Sequence, residues 1–229
     1  MILTLAPKTN YAPTPEDKRM IVVHHLETSR STRILWLLEE LDLKYELQSH
    51  ARVGGRAPEN LKHIHPLGKA PFIVDGDLVL AESSAILRYI DARYGDGRHS
   101  PKAGTAQGAM HDQWLDLAEG SASFPLLLPL LGRMMGGLPD PIAQFADARG
   151  KDLLAYISEG VGEGPFLMGG ELTLADIQMV YTLEMARMAG ALDAFPLLQS
   201  YRDRLHRQAG FIKAIEMGGP LVPPGWASA

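Results

Sequence analysis

The sequence predicts an α/β domain followed by an all-helical domain. The first observation behind this prediction is that short aliphatic and β-branched runs, typical of buried strands, are convincing only before Gly95. The second is that apolar residues recur at helical spacing on both sides of that point. With 229 residues, of which 46% are apolar, the chain is long enough to bury the cores of two small domains.

The first domain is predicted over residues 20–94, behind a flexible extension at residues 1–19. Ser and Thr side chains precede its first helix as candidate caps, and Asp75-Gly76-Asp77 is a strong hairpin turn. Strands are predicted at residues 21–23, 45–48, 71–74 and 78–80, and helices at residues 34–41 and 83–93. A strand–helix–strand unit followed by a hairpin and a helix is the layout of the thioredoxin fold, whose parallel crossover is right-handed.

The second domain is predicted to be all-helical over residues 103–229, behind a linker at residues 95–102. Thr173 and Asp176 form a capping box at the start of one of its helices. Its helices are predicted at residues 107–117, 143–157, 174–188 and 197–207. The last ten positions contain three prolines and are predicted to pack as irregular chain.

Composition and charge argue against several classes of function. The chain has no cysteine, which rules out disulfides, Cys–zinc sites and a protein thiol nucleophile. The net charge is −5 and Arg and Lys form no stripe, so we expect no nucleic-acid partner. No apolar run approaches the ~20 residues that span a membrane, and the N-terminal stretch is too weakly apolar for a signal peptide. We therefore expect a cytoplasmic protein without a membrane partner.

Histidines are the remaining candidates for metal ligands, and their spacing speaks against a metal site. His24 and His25 are adjacent on a predicted strand, so their side chains should point in opposite directions. His63 and His65 are two residues apart, but no third ligand follows them. We therefore expect no metal.

The segment that precedes the third strand is the first candidate for a binding site. Pro71 stands directly before a strand and can form a cis bond there, because the cis form of an X–Pro bond costs little. A cis bond would turn the N–H and C=O of Ala70 outward, and an extended peptide could then pair with them as an added strand. The alternative is a trans proline that starts an edge strand.

The start of the second helix is the next candidate. Backbone N–H groups at a helix N-terminus attract a carboxylate, and the hydroxyl of Ser83 adds a donor. Glu82 is suited to accept a hydrogen bond from an ammonium group. Together they fit the two charged ends of an α-amino acid, although a plain helix cap explains the same residues.

Hydroxyl side chains crowd residues 28–32, between the first strand and the first helix. A thiol with a pKa near ~8.5 is mostly protonated at neutral pH. One hydrogen bond together with the field of a helix N-terminus would lower that pKa by about a unit. The alternative is again capping, which some of these hydroxyls must perform.

These three segments occur in one order on one fold, and together they resemble a known family. Residues 24–41 read HHLETSRSTRILWLLEEL, residues 68–71 read GKAP and residues 81–86 read AESSAI. Residues 164–169 read GPFLMG and precede the capping box. From Met20 nearly to the end, the chain resembles the soluble glutathione transferases, most closely their bacterial and fungal branch.

The resemblance implies a glutathione site built from all three segments. Ala70, next to the cis-proline position Pro71, would pair through its backbone with the cysteinyl part of glutathione. Glu82 and Ser83 would hold the γ-glutamyl amino and carboxylate groups. Partners for the glycyl carboxylate would be Lys69 and Arg56.

The catalytic group follows from the resemblance by residue type. Branches of the family use Tyr, Ser or Cys near the end of the first strand, and this chain has neither Cys nor Tyr there. The hydroxyl must then come from residues 28–32. Ser29 is the first candidate and Thr28 the second, while backbone N–H groups or Arg30 are the alternative if neither hydroxyl reaches the sulfur.

The predicted function is that of a glutathione transferase, with glutathione as co-substrate, an apolar electrophile as second substrate and a C2 homodimer as the assembly. Glutathione-dependent reduction of peroxides or disulfides, and non-catalytic binding of glutathione or apolar ligands, are the alternatives. Residues that either line the second site or belong to the core are Trp114, Phe124, Leu127 and Leu128.

Overall fold

The computed structural model describes residues 20–223, so the predicted extension at residues 1–19 lies outside the described residues, as do residues 224–229. A four-stranded sheet forms the first domain in the order β2-β1-β3-β4, with β1 parallel to β2 and the other neighbours antiparallel. The strands are β1 Ile21–Leu26, β2 Tyr45–His50, β3 Phe72–Asp75 and β4 Leu78–Ala81, and the helices are α1 Thr32–Glu40 and α2 Ser83–Tyr94. This arrangement confirms the predicted fold class.

Helix α1 lies between the sheet and the second domain. Its apolar residues from Ile34 to Leu38 are all fully buried, because the helix packs against β1, against α2 and against two helices of the second domain. A helix that is apolar on all sides is expected in such a position. The core therefore runs without interruption from the sheet into the helical domain.

Six α-helices form the second domain within residues 20–223, two more than the sequence predicted. They are α3 Ala106–Leu117, α4 Ser123–Met135, α5 Asp140–Val161, α6 Leu174–Met188, α7 Pro196–His206 and α8 Ala209–Gly218. Helix α4 was not predicted because Pro125 and Pro129 interrupt its pattern. Pro125 is the third residue of the helix and Pro129 lies inside it, and neither has an N–H to donate to the preceding turn.

Helices α3 and α4 are joined by one π-helical turn, Ala118–Ala122. A π turn inserts an extra residue into an α-helix and is frequent at functional sites. Here the turn carries Glu119, which forms ion pairs with Arg30 and Arg33 of the first domain. The π turn is therefore the point where the helical domain makes its charged contact with the start of α1.

The predicted capping box is present at the start of α6. The backbone N–H and the hydroxyl of Thr173 both donate to Oδ2 of Asp176, at 2.8 and 2.9 Å. The other carboxylate oxygen accepts from the backbone N–H of Leu167 at 2.9 Å and from the hydroxyl of Tyr201 at 2.6 Å. The box is thus also the centre of a buried polar cluster that joins α6 to α7.

Membrane-spanning character is absent from the helices of residues 20–223, since none of them is both long enough and apolar enough to cross a bilayer.

Candidate functional site

The register of the sheet brings the three predicted segments to one edge. Strand β1 ends at Leu26, and His24 pairs with Phe72, so Pro71 lies beside the last residues of β1. Phe72 also pairs with Ala81, which is followed directly by the start of α2. The ends of β1 and β4 and the beginning of β3 therefore meet along the same edge of the sheet.

The Ala70–Pro71 peptide bond is cis, which decides between the two alternatives at this position. Pro71 is buried and Ala70 is half-buried. Lys69 and Arg56 are exposed, on either side of a short 3₁₀ turn at Glu59–His63.

Glu82 and Ser83 are not the plain helix cap that the sequence left open. Glu82 occupies the N-cap position with φ 71° and ψ 117°, and its exposed side chain makes no capping hydrogen bond. A positive φ is unusual for a residue other than glycine and often marks a functional position. Ser83 is the first residue of α2.

Two buried donors determine the role of the Ser83 hydroxyl, which is only 4% exposed. Its oxygen accepts hydrogen bonds from Nη1 of Arg33 at 3.2 Å and from Nε2 of Gln178 at 3.1 Å. A hydroxyl has two acceptor lone pairs and one donor proton. With both lone pairs used, Ser83 has its proton left to donate.

Arg33 belongs to a charged cluster that the sequence analysis did not identify. Its side chain is fully buried and forms a short ion pair with Oε1 of Glu119. The Nε of Arg30 donates to the same carboxylate at 2.8 and 2.9 Å, and both guanidinium groups lie over the ring of Tyr181. Among the described residues, Nε and Nη2 of Arg33 have no hydrogen-bond partner. A buried cation with spare donors therefore lies directly behind Ser83.

Burial and charge act in opposite directions on this cluster. Burial raises the pKa of the Glu119 carboxyl, but the charges of Arg33 and Arg30 and their hydrogen bonds outweigh it and lower the pKa to about 2. Burial lowers the pKa of Arg33, and the charge of Glu119 opposes that shift. Glu119 is consequently ionised over the whole physiological range.

The two candidate catalytic hydroxyls lie in different surroundings. Ser29 is buried, and its Oγ lies 2.7 Å from the carbonyl of Leu26 and 2.7 Å from Oγ of Ser31. Thr28 is half-buried with φ 49°, and its hydroxyl accepts a hydrogen bond from Nε of Arg52 at 3.2 Å. Arg52 was not identified from the sequence, which singled out Arg56 in the same loop.

The four apolar candidates for the second substrate site do not share one environment. Trp114 is 3% exposed and belongs to the core, whereas Phe124 is 59% exposed on α4. Leu127 and Leu128 are half-buried. A cavity of about 480 Å³ lies next to α4, between α5 and the turn that follows α6, and none of these four residues lines it.

From the spacing of the histidines we expect no metal site. Within residues 20–223, no group of three or more histidine or carboxylate side chains is placed to hold a metal ion. His24 instead lies 3.1 Å from His50 and stacks on Phe72.

Comparisons with known proteins match both domains of the chain. Residues 18–92 match the family model described as glutathione S-transferase, N-terminal domain, and residues 140–213 match the model for the C-terminal domain. Glutathione S-transferase 3 of Schizosaccharomyces pombe is 33% identical over 73% of this chain and 75% of its own length. Glutathione S-transferase 1 of Saccharomyces cerevisiae is 32% identical over 88% of this chain and 97% of its own.

A solved structure gives the same result. The crystal structure of a glutathione S-transferase from Actinobacillus pleuropneumoniae superposes with a TM-score of 0.81 at 33% identity, covering 92% of this chain and 97% of that one. The chain therefore belongs to the glutathione S-transferase family.

Proposed function

We propose that this glutathione transferase holds glutathione along the sheet edge described above and directs its thiolate at an apolar electrophile. The observation that carries the proposal is the Ser83 hydroxyl, whose lone pairs are occupied by Arg33 and Gln178 and whose proton is left for a ligand. It lies at the N-terminus of a 12-residue helix, where a carboxylate is stabilised.

Each end of glutathione then has a partner. Ser83 and the first N–H groups of α2 bind the γ-glutamyl carboxylate, and the buried charge of Arg33 favours the anion from behind. The exposed Glu82 accepts from the γ-glutamyl ammonium group. The backbone of Ala70, beside Pro71, pairs with the cysteinyl residue, and the exposed cations Lys69 and Arg56 are the partners of the glycyl carboxylate.

Ser29 is the proposed donor to the sulfur, with Thr28 as the second candidate. Both hydroxyls can donate to a sulfur. Thr28 accepts from Arg52 and keeps its own proton, and Ser29 lies in a buried cluster of hydroxyls whose protons can change partners. Stabilising the thiolate and holding both reactants together supply the rate acceleration.

We also propose a C2 homodimer in the cytoplasm. Strand β4 is an edge strand, and its residues Leu78 and Val79 are 37% and 41% exposed, which is costly for a free edge. Light scattering would measure twice the chain mass of 25.0 kDa if the dimer forms.

Calorimetric titration with glutathione tests the site. Ser83→Ala should weaken binding about 10-fold, because a charge-assisted hydrogen bond is lost. Ser84→Ala is the matched control, a neighbouring hydroxyl in the same helical turn, and should bind as the wild type does. Equal affinities for the two variants would contradict the assignment of Ser83.

Turnover tests the chemistry. Ser29→Ala should keep glutathione affinity and lose at least about 10-fold in kcat, whereas Thr28→Ala should lose less. An aryl halide, a hydroperoxide and a mixed disulfide, assayed side by side, separate the transferase from a peroxidase or disulfide reductase. Binding without turnover of any of them would favour a ligand-binding protein.

A further inference from the structure

A continuous chain of hydrogen bonds leads from Ser29 to the last turn of α8. Oγ of Ser29 lies 2.7 Å from Oγ of Ser31, which lies 2.8 Å from Nδ1 of His25. The other ring nitrogen of His25, Nε2, lies 2.8 Å from the carbonyl oxygen of Gly218. His25 and Ser31 are both buried, with exposed fractions of 1% and 0%.

The direction of each hydrogen bond follows from the chemistry of the groups. A carbonyl oxygen only accepts, so Nε2 of His25 carries the proton and Nδ1 of the neutral ring is an acceptor. Ser31 must then donate its single proton to Nδ1. Its oxygen accepts from the backbone N–H of Leu26, at 3.1 Å. The single proton of Ser29 is donated to the carbonyl of Leu26 at 2.7 Å, and Oγ of Ser31 lies at the same distance, so a rotation of the Ser29 hydroxyl turns this proton to Ser31.

The end of α8 suits a positively charged imidazole. The Gly218 carbonyl is one of the last carbonyls of that helix, which lack partners within the helix and carry its negative partial charge. A side chain at position 218 would come within 2.8 Å of Cε1 of His25 and 2.7 Å of Cδ1 of Leu35. Glycine is thus the residue that lets His25 reach this carbonyl.

We propose that His25 receives the proton of the glutathione thiol through Ser31 and Ser29, an inference that rests on the proposed role of Ser29. The thiol S–H passes its proton to Oγ of Ser29, Ser29 passes its own to Oγ of Ser31, and Ser31 passes its own to Nδ1 of His25. Three O–H or N–H bonds form, and the S–H bond and two O–H bonds break. The products are a thiolate and an imidazolium ion.

Every group in the chain has a partner after this transfer. The imidazolium donates to Gly218 and to Ser31, Ser31 donates to Ser29, and Ser29 turns from the carbonyl of Leu26 to donate to the thiolate. Oγ of Ser29 also accepts from the backbone N–H of Ser31, at 3.2 Å in the structure. The relay therefore creates the hydrogen bond to sulfur that the proposed mechanism needs.

The surroundings of His25 keep the ring neutral until a thiol is bound. Burial lowers the pKa of His25 below its ordinary value, the Gly218 carbonyl raises it, His50 of β2 lowers it and Glu27 at the end of β1 raises it. With burial the largest cause, His25 is unprotonated near neutral pH and free to accept a proton. The negative charge of a bound thiolate would then favour its protonated form.

The wild-type protein provides the first test, through the fate of the thiol proton. Glutathione is titrated near neutral pH in two buffers of different ionisation enthalpy, which gives the number of protons released, while the ultraviolet absorbance of the thiolate gives the fraction ionised. S-methylglutathione, which has no thiol proton, corrects for every other group. We expect thiolate to form with almost no proton release. One proton released for each thiolate formed would overturn the relay.

Variants identify the acceptor. In His25→Gln the thiol should ionise only by losing its proton to solvent, so release should match thiolate formation, and the pKa of the bound thiol should rise by about one unit, a 10-fold loss of thiolate. Ser31→Ala should behave in the same way. S-methylglutathione should bind all variants equally, which a merely structural role of His25 would not allow. His111→Gln, a buried histidine of the helical domain, is the matched control and should resemble the wild type.

The outcomes separate this inference from the function on which it rests. A raised thiol pKa in Ser29→Ala together with an unchanged His25→Gln would leave Ser29 in its role and overturn the relay alone. An unchanged thiol pKa in Ser29→Ala would overturn both. If His25→Gln does not fold, the proton count on the wild type still decides the question.

Discussion

The pKa values of two carboxylates, the partly buried Glu119 and the fully buried Asp176, are shifted in opposite directions. Glu119 lies between the domains and faces two arginines, and its pKa falls to about 2 even though burial raises it. Asp176 lies inside the helical domain and faces only neutral donors, and burial raises its pKa above the ordinary value despite four hydrogen bonds. At Asp176 four hydrogen bonds from neutral donors do not offset the cost of full burial, whereas at Glu119, whose side chain is 28% exposed, two arginines outweigh the cost of partial burial.

The opposite pKa shifts of Glu119 and Asp176 correspond to the different roles of the two residues. In the capping box, Asp176 accepts hydrogen bonds from neutral N–H and O–H groups, and it can do so whether or not the carboxyl is ionised. The junction between the domains holds a permanent cation, Arg33, behind the proposed anion site, and that cation is tolerated only because Glu119 balances it.

The largest expected effect comes from neutralising Glu119. Glu119→Gln leaves Arg33 buried without a counter-charge, and we expect the free energy of unfolding to fall by about 3–5 kcal/mol. Asp176→Asn removes one acceptor and turns an amide against donors, which should cost about 1–3 kcal/mol. Urea denaturation of both variants measures the two losses.

A double variant tests whether the loss of stability in Glu119→Gln comes from the unpaired charge of Arg33. Arg33→Met combined with Glu119→Gln removes the buried charge together with its partner and should recover much of the lost stability. Glutathione affinity should remain reduced, because Ser83 has lost the cation behind it. A double variant no more stable than Glu119→Gln alone would show that the loss comes from packing and not from the unpaired charge.

The pH dependence of stability should differ in sign between the two carboxylates. The folded pKa of Glu119 lies below its ordinary value of 4.5, so its contribution is present above pH 4.5 and is lost as the pH falls toward about 2, by about 3 kcal/mol in total. The folded pKa of Asp176 lies above its ordinary value of 3.8, so this residue adds stability as the pH falls through that raised pKa.

Denaturation curves between about pH 6 and pH 3 measure these slopes. Relative to the wild type, Glu119→Gln should lose less stability on acidification, and Asp176→Asn should lose more. Slopes that change in the same direction in both variants would mean that the environments of Glu119 and Asp176 shift the carboxyl pKa in the same direction.

Local patterns were enough to predict the fold. The aliphatic run of β1, the Asp75-Gly76-Asp77 turn and the capping box at Thr173 each depend on neighbouring residues, and all three are found where expected. Helix α4 escaped prediction because prolines at 125 and 129 mask its periodicity, which tertiary packing overrides. Helix α8 was also not predicted, because it is short and has glycines near both ends.

Sequence patterns could not predict the long-range contacts between residues of the candidate site. Arg33 stands in an apolar helical stretch with no sign that its counter-charge comes 86 positions later, in a π turn. Gln178 reaches Ser83 across 95 positions, and His25 reaches Gly218 across 193. Such pairs are set by the way the two domains pack, and no local spacing encodes that packing.

The smallest effect is expected where a carboxylate pairs with a cation in water. Lys151 lies 2.9 Å from Asp147 on α5, almost the same distance as the 2.8 Å between Arg30 and Glu119, but both side chains of the α5 pair are more than 60% exposed. Lys151→Ala should therefore change the free energy of unfolding by no more than about 0.5 kcal/mol. A loss of the size expected for Glu119→Gln would mean that distance determines the value of an ion pair in this protein. A negligible loss would leave burial as the cause, since water screens the α5 pair more than the cluster at the junction, where Arg33 is fully buried and Glu119 is 28% exposed.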